Sequence, residues 1–63
     1  MSIGDLVCLK CEDGVEWTGI VIGFEEKKWA FGHKFYTKIQ WSDGEIDRYD
    51  KSEIVENKLE VIA

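Results

Sequence analysis

Apolar and polar residues alternate with a period of two over several short stretches of this chain, and nothing in the pattern requires a long helix. Leu6 to Lys10 is the first such stretch, introduced by the turn-forming pair Gly4-Asp5. Its alternation sends Val7 and Leu9 to one face and leaves Leu6 and Cys8 on the other. Glu12-Asp13-Gly14 follows as a turn, with Gly14 free to adopt positive φ. Trp17 to about Phe24 is the second strand, rich in β-branched residues and interrupted by Gly19 and Gly23. Interior glycines weaken a straight strand but suit a bulge or a sharp bend where a small sheet curls onto itself.

Glu25 to Lys34 reads as a polar connection that carries Trp29 and Phe31 and is long for a hairpin loop. The third strand, Phe35 to Trp41, has Phe35, Thr37, Ile39 and Trp41 on one face and Tyr36, Lys38 and Gln40 on the other. Asp43-Gly44 signals a two-residue hairpin into a fourth strand, Glu45 to Tyr49. Asp50 is then an N-cap with Glu53 at capping-box spacing, opening one helical turn, and Leu59 to Ile62 is the last strand. The expected fold is all-β: a single five-stranded SH3-like barrel spanning residues 1–63, with one short helical turn before the last strand. Its expected core is Val7, Leu9, Val21, Phe24, Ile39, Ile46, Ile54 and Ile62.

Sixty-three residues are close to the size at which apolar burial only just outweighs chain entropy. A hydrophobic fraction of 44% argues against disorder. No apolar run approaches the ~18 residues of a membrane helix, and Met1 to Asp5 lacks the features of a signal peptide, so a cytoplasmic protein without a membrane partner is expected. The net charge of −5 opposes a polyanionic partner and disfavours nucleic acid, although Lys27, Lys28, Lys34 and Lys38 gather around the central connection.

Cys8 and Cys11 are spaced C-x-x-C, but a structural zinc needs four ligands and the only other soft donor is His33. Residues three apart in a strand face opposite sides, which rules against a disulfide. No glycine-rich phosphate loop occurs, and no nucleophile–base pair or paired carboxylates stand out. Neither catalysis nor a cofactor nor a metal is implied.

The stretch Gly4-Asp5-x-Val7 … Asp13-Gly14-x-x-Trp17-x-Gly19-x-Val21 resembles the opening of a Tudor domain, and Ile39-x-Trp41-x-Asp43-Gly44 … Tyr49 … Ile54 resembles its second half. The resemblance implies a Tudor-like barrel that can hold a methylated lysine or arginine between aromatic rings by cation–π attraction. Trp17 and Trp41 match two cage positions; the other two fall on Cys11 and Asp43, which are not aromatic, and Tyr49, Tyr36 or Trp29 would have to substitute. The polar residue after the second turn's glycine, which orients the ligand in that family, is Glu45 here.

Glu12, Asp13, Glu16, Asp43, Glu45 and Asp47 lie in or beside the two turns that carry these tryptophans. Convergent turns would make an anionic rim suited to a cationic group. The expected function is therefore non-catalytic recognition of a partner protein or basic peptide. Trp17, Trp41 and Tyr49 would supply the aromatic rim, and Glu16, Asp43, Glu45 and Asp47 its acidic border. Two alternatives remain open: a nucleic-acid accessory domain using the four central lysines with Trp29 and Tyr36, and a self-associating module that buries Trp29 and Phe31 between subunits.

Overall fold

A computed structural model describes residues 1–10 and 14–63. Cys11, Glu12 and Asp13, and with them the C-x-x-C pair and most of the first turn, lie outside the described residues. Gly14 itself takes φ 85°, the left-handed conformation expected of it. The described elements are β1 (Leu6–Lys10), β2 (Glu16–Trp29), β3 (Gly32–Trp41), β4 (Ile46–Tyr49), α1 (Lys51–Glu56) and β5 (Glu60–Val61). They form one antiparallel five-stranded sheet in the order β4-β3-β2-β1-β5. The sheet is open, with β4 and β5 at its two ends and no pairing between them among the described residues.

The stretch expected to be a polar loop is not one. Glu25 to Lys34 continues both strands, and β2 and β3 stay paired from Gly19↔Trp41 out to Trp29↔Gly32. Only Ala30 and Phe31 remain at the tip. A register shift between Val21 and Gly23 marks the bend that the second glycine suggested. Gly19 has a different reason to be glycine: a Cβ there would stand 2.7 Å from Ile39 Cγ2 and 2.8 Å from Trp41 Cε3.

Register then decides which side chains are buried. Val7 opposes Gly19, Val21 opposes Ile39 and Gly19 opposes Trp41, so these residues share one face. Val7, Val21, Ile39, Trp41 and Leu59 form the core, with Leu9, Tyr49 and Ile54 packed against it. Three expected core residues are exposed instead: Phe24, Ile46 and Ile62. Phe24 is returned to the core-side face by the bulge, opposite Thr37, yet it lies beyond the residues that cover that face. Ile46 opposes Gln40 on the outer face, because β4 turns Asp47 and Tyr49 inward opposite Ile39 and Thr37. Ile62 lies past the end of β5 and is held by its backbone, whose N–H donates to Leu6 O at 2.8 Å. Cys8, expected on the side away from the core, is nonetheless buried, flanked by Thr18 on one neighbouring strand and Glu60 on the other.

The β3–β4 connection is one residue longer than expected. Trp41 N–H donates to Glu45 O, and Gly44, at φ 92°, donates to Trp41 O, giving a three-residue turn with glycine in the left-handed position. The helix start is as expected: Asp50 Oδ1 accepts from Glu53 N at 2.8 Å and Glu53 Oε1 from Asp50 N at 3.2 Å. At its other end Lys58 sits at φ 54°, while Lys58 N donates to Val55 O and Leu59 N to Ile54 O. This closure delivers Leu59 into the core.

Candidate binding rim and hairpin arm

Trp17 and Trp41 reach the same face of the sheet by different strands. Trp17 opposes Leu9 on β1, and Trp41 opposes Gly19, two residues further along β2. The second turn is drawn against β2 by Ser42 N–H, which donates to Thr18 O at 3.0 Å. Asp43 therefore comes alongside the start of β2, where Trp17 lies. The second turn thus meets the start of β2, while Glu12 and Asp13 of the first turn lie outside the described residues.

The two rings have different roles there. Trp41 is only 7% exposed. Its Nε1–H donates to Asp47 Oδ2 at 3.0 Å, and it meets Tyr49 edge to face at a centroid distance of 6.2 Å. Burial, followed by the charge of Asp47, pushes the Tyr49 phenol above its ordinary range. Trp41 is thus held by both Tyr49 and Asp47, whereas Trp17 is 40% exposed. Of the acidic border, Asp43 and Glu45 are exposed in the turn, where Asp43 Oδ1 accepts from Glu45 N at 3.0 Å. Asp47 is engaged with the indole, and Glu16 falls on the opposite face from Trp17, across from Lys10. At this end of the sheet Trp17 is the exposed aromatic ring, on the same face as Trp41 and beside the Asp43–Glu45 turn.

A second surface had a weak signature in the sequence. The outer halves of β2 and β3 form a two-stranded arm with Phe24, Trp29, Phe31 and Phe35 all more than half exposed, Phe31 at 98%. Phe24 and Phe35 lie on the core-side face, the latter with its ring edge on His33 at 5.3 Å. Trp29 lies on the other face, where its ring comes 3.9 Å from the Cβ position of Gly32. The only sequence signal was aromatics recurring among charged residues, and it lacked the alternation that burial of one face imposes.

The four central lysines are dispersed by this register. Lys27 and Lys34 oppose each other directly, a repulsive placement. Lys27 lies over the Tyr36 ring at 5.9 Å, and Lys34 reaches Asp50 Oδ2 at 3.2 Å. Lys28 pairs with Glu26 at 3.4 Å on the core-side face, and Lys38 opposes Arg48. Arg48 in turn lies 3.1 Å from Glu25 Oε2, an ionic contact without hydrogen-bond alignment.

Leu6, Ile20 and Gln40 of the outer face, with Trp41 and Ser42, contribute to a shallow groove of about 200 Å³. That is below the usual size of a small-molecule pocket and matches a single side chain. No helix among the described residues is long and apolar enough to cross a membrane. Compared with protein-family models, curated proteins and solved structures, the chain matches none.

Proposed function

We propose that this chain is a non-catalytic recognition module that binds a partner protein or peptide by accepting a cationic side chain at the Trp17 rim. One observation carries the reading: the indole of Trp17, 40% exposed, lies on the same sheet face as Trp41 and beside a turn bearing two exposed carboxylates, Asp43 and Glu45. An indole face attracts an ammonium or guanidinium group within about 6 Å of its centre, and nearby carboxylates add to that attraction. The strand order, with the helix between β4 and β5, supports the SH3-like, Tudor-like architecture as the frame of this site.

Burial of Trp41 leaves a single open wall, which favours a modest-affinity contact with a basic peptide over an enclosed methyl-lysine cage. The test is an amide and indole NMR titration with lysine-rich peptides, unmodified and trimethylated. Shifts confined to the Trp17 indole and residues 42–45, and lost in Trp17→Ala, support the rim. No shift with either peptide sinks it.

A further inference from the structure

The arm is incomplete as a free-standing element. The β1 ladder ends at Leu6↔Ile20, with Val21 still bonded to Gly4 and Asp5, and β4 pairs with β3 only from Thr37 to Gln40. Over residues 24–29 and 32–36 both outer edges of the hairpin therefore lack a neighbouring strand among the described residues. A two-stranded ribbon of this kind is marginal in water, and open edges with exposed rings invite a partner. At ~3.3 Å per residue the arm reaches about 20 Å, roughly half of the 41 Å long dimension of the molecule.

Charge is divided in the same way. Residues 24–36 carry three lysines against two glutamates, while the rest of the chain carries five cations against eleven carboxylates. Arm and body thus have opposite sign. They also share a face: Phe24, Phe35, Lys28 and His33 on the arm point to the side on which Trp17 and Asp47 lie at the other end of the sheet. A patch with complementary halves at its two ends is what a two-fold interface requires.

We infer that the partner of this surface is a second copy of the chain, in a reciprocal dimer where each arm lies along the other's body. Phe24 and Phe35 of one arm cover the Trp17 end of its mate, and Lys28, on the same face, approaches the Asp43–Glu45 turn, with the charge of Lys27 adding from the arm's other face. This rests on the rim being cation-accepting and names its ligand as the arm itself. Side-by-side contact of two arms in parallel would instead bring like charges together.

The test is sedimentation of the full chain from micromolar to millimolar concentration, with charge-reversed variants. The wild type is expected to shift from monomer to dimer, more weakly at raised salt. K27E/K28E and D43K/E45K should each raise the dissociation constant tenfold or more, and an equimolar mixture of the two should recover a heterodimer, because every arm then meets a rim of opposite sign. F24S/F35S should weaken the dimer while its circular dichroism stays that of the wild type, since both rings are exposed in the monomer. A monomer at every concentration, or a mixture that does not recover association, overturns the dimer. Monomeric protein whose lysine arm binds a single-stranded oligonucleotide also overturns it and assigns the arm to nucleic acid. Peptide titration of K27E/K28E, whose rim is unoccupied, separates the two readings: binding there keeps the rim even if the dimer fails, and silence removes the rim itself.

Discussion

The indole of Trp41 donates its Nε1–H to Asp47 Oδ2 at 3.0 Å across the β3–β4 turn, which fixes a core ring to a carboxylate on the neighbouring strand. Asp47 stands opposite Ile39, on the core-side face of β4, from where its exposed carboxylate reaches the indole. Removing that acceptor leaves a buried N–H without a partner. Asp47→Ala should therefore cost about 1–3 kcal/mol, while Asp47→Asn, which retains an oxygen acceptor, should cost less. Urea unfolding of both variants checks the order, and equal losses would show that the indole bond is not the cause.

Gly19 is the point where β2 passes closest to the core rings. The methyl of Gly19→Ala would meet Ile39, Trp41 and the Gln40 carbonyl, all within 3 Å. Overpacking of this kind costs about 1–3 kcal/mol. At Gly23 a Cβ meets nothing within 4 Å. Gly23→Ala should stay within about 0.5 kcal/mol of wild type, in the range of an uncrowded surface substitution. Thermal melts of the pair test whether crowding, and not loss of glycine as such, is decisive.

Much of the fold is readable from local chemistry, and what is not readable depends on contacts far apart in sequence. The Asp50–Glu53 capping box and the bulge at Gly23 follow from a few adjacent residues. The arm does not: neither of its faces is buried, so charged residues occupy both and the period of two disappears. Phe24 and Ile46 fit a core by composition, but the register places one beyond the cover of the core and the other on the outer face. Trp41 fits either a core or a rim by position, and its bond to Asp47 with its edge contact on Tyr49 is the feature that commits it to the core. Leu59 enters the core through the helix closure at Lys58, a geometry with no sequence cue stronger than a short polar gap.

Lys58 holds that closure at a cost. Its φ of 54° is unfavourable for a residue with a Cβ, and glycine is the usual occupant of this position. Lys58→Gly should raise stability by up to about 1 kcal/mol, visible as an upward shift in melting temperature. A drop would mean that the lysine side chain contributes more than its backbone strain removes.

Asp50 joins the helix cap to the arm. The Glu53 backbone N–H, followed by the Lys34 ammonium, holds its carboxyl below the usual carboxylate range, and the same contact raises Lys34. A lowered native pKa gives stability that is fully present above the unfolded value near 3.8 and is lost as pH falls through the native value. Lys34, raised from 10.5, contributes stability that is present below that value and fades at more alkaline pH. Asn caps a helix as well as Asp does, so Asp50→Asn should keep the helix and flatten both limbs of the stability-against-pH curve. Asp50→Ala should also lower stability at neutral pH, and helix content by circular dichroism separates the two variants.

Three tryptophans in three environments give a direct optical check of the rim. Trp41 is shielded, whereas Trp17 and Trp29 are 40% and 52% exposed. Acrylamide should quench two of the three indoles readily, and Trp41→Phe should remove the protected fraction. A protected fraction that instead disappears in Trp17→Phe would place the wrong ring in solvent and withdraw the exposed wall on which ligand binding depends.

Stability should be lowest in the arm, since all the core residues lie outside it. Val7, Val21, Ile39, Trp41 and Leu59 are held by β1, the first half of β2, the second half of β3 and the segment after α1. Amides of residues 26–29 and 32–35 have a single ladder and no buried apolar contact to protect them, so they open locally without global unfolding. Hydrogen exchange in dilute protein should therefore be much faster there than at Val21 and Ile39. Replacing Glu26 to Phe35 by an Asn-Gly turn, which joins Glu25 to its cross-strand partner Tyr36, should leave the monomer folded with nearly the same melting temperature. As protein concentration rises, the full chain should gain protection in the arm and the shortened chain should not. Slow exchange in the arm at the highest dilution would mean that the hairpin is stable by itself, and that its exposed rings do not need a partner to be ordered.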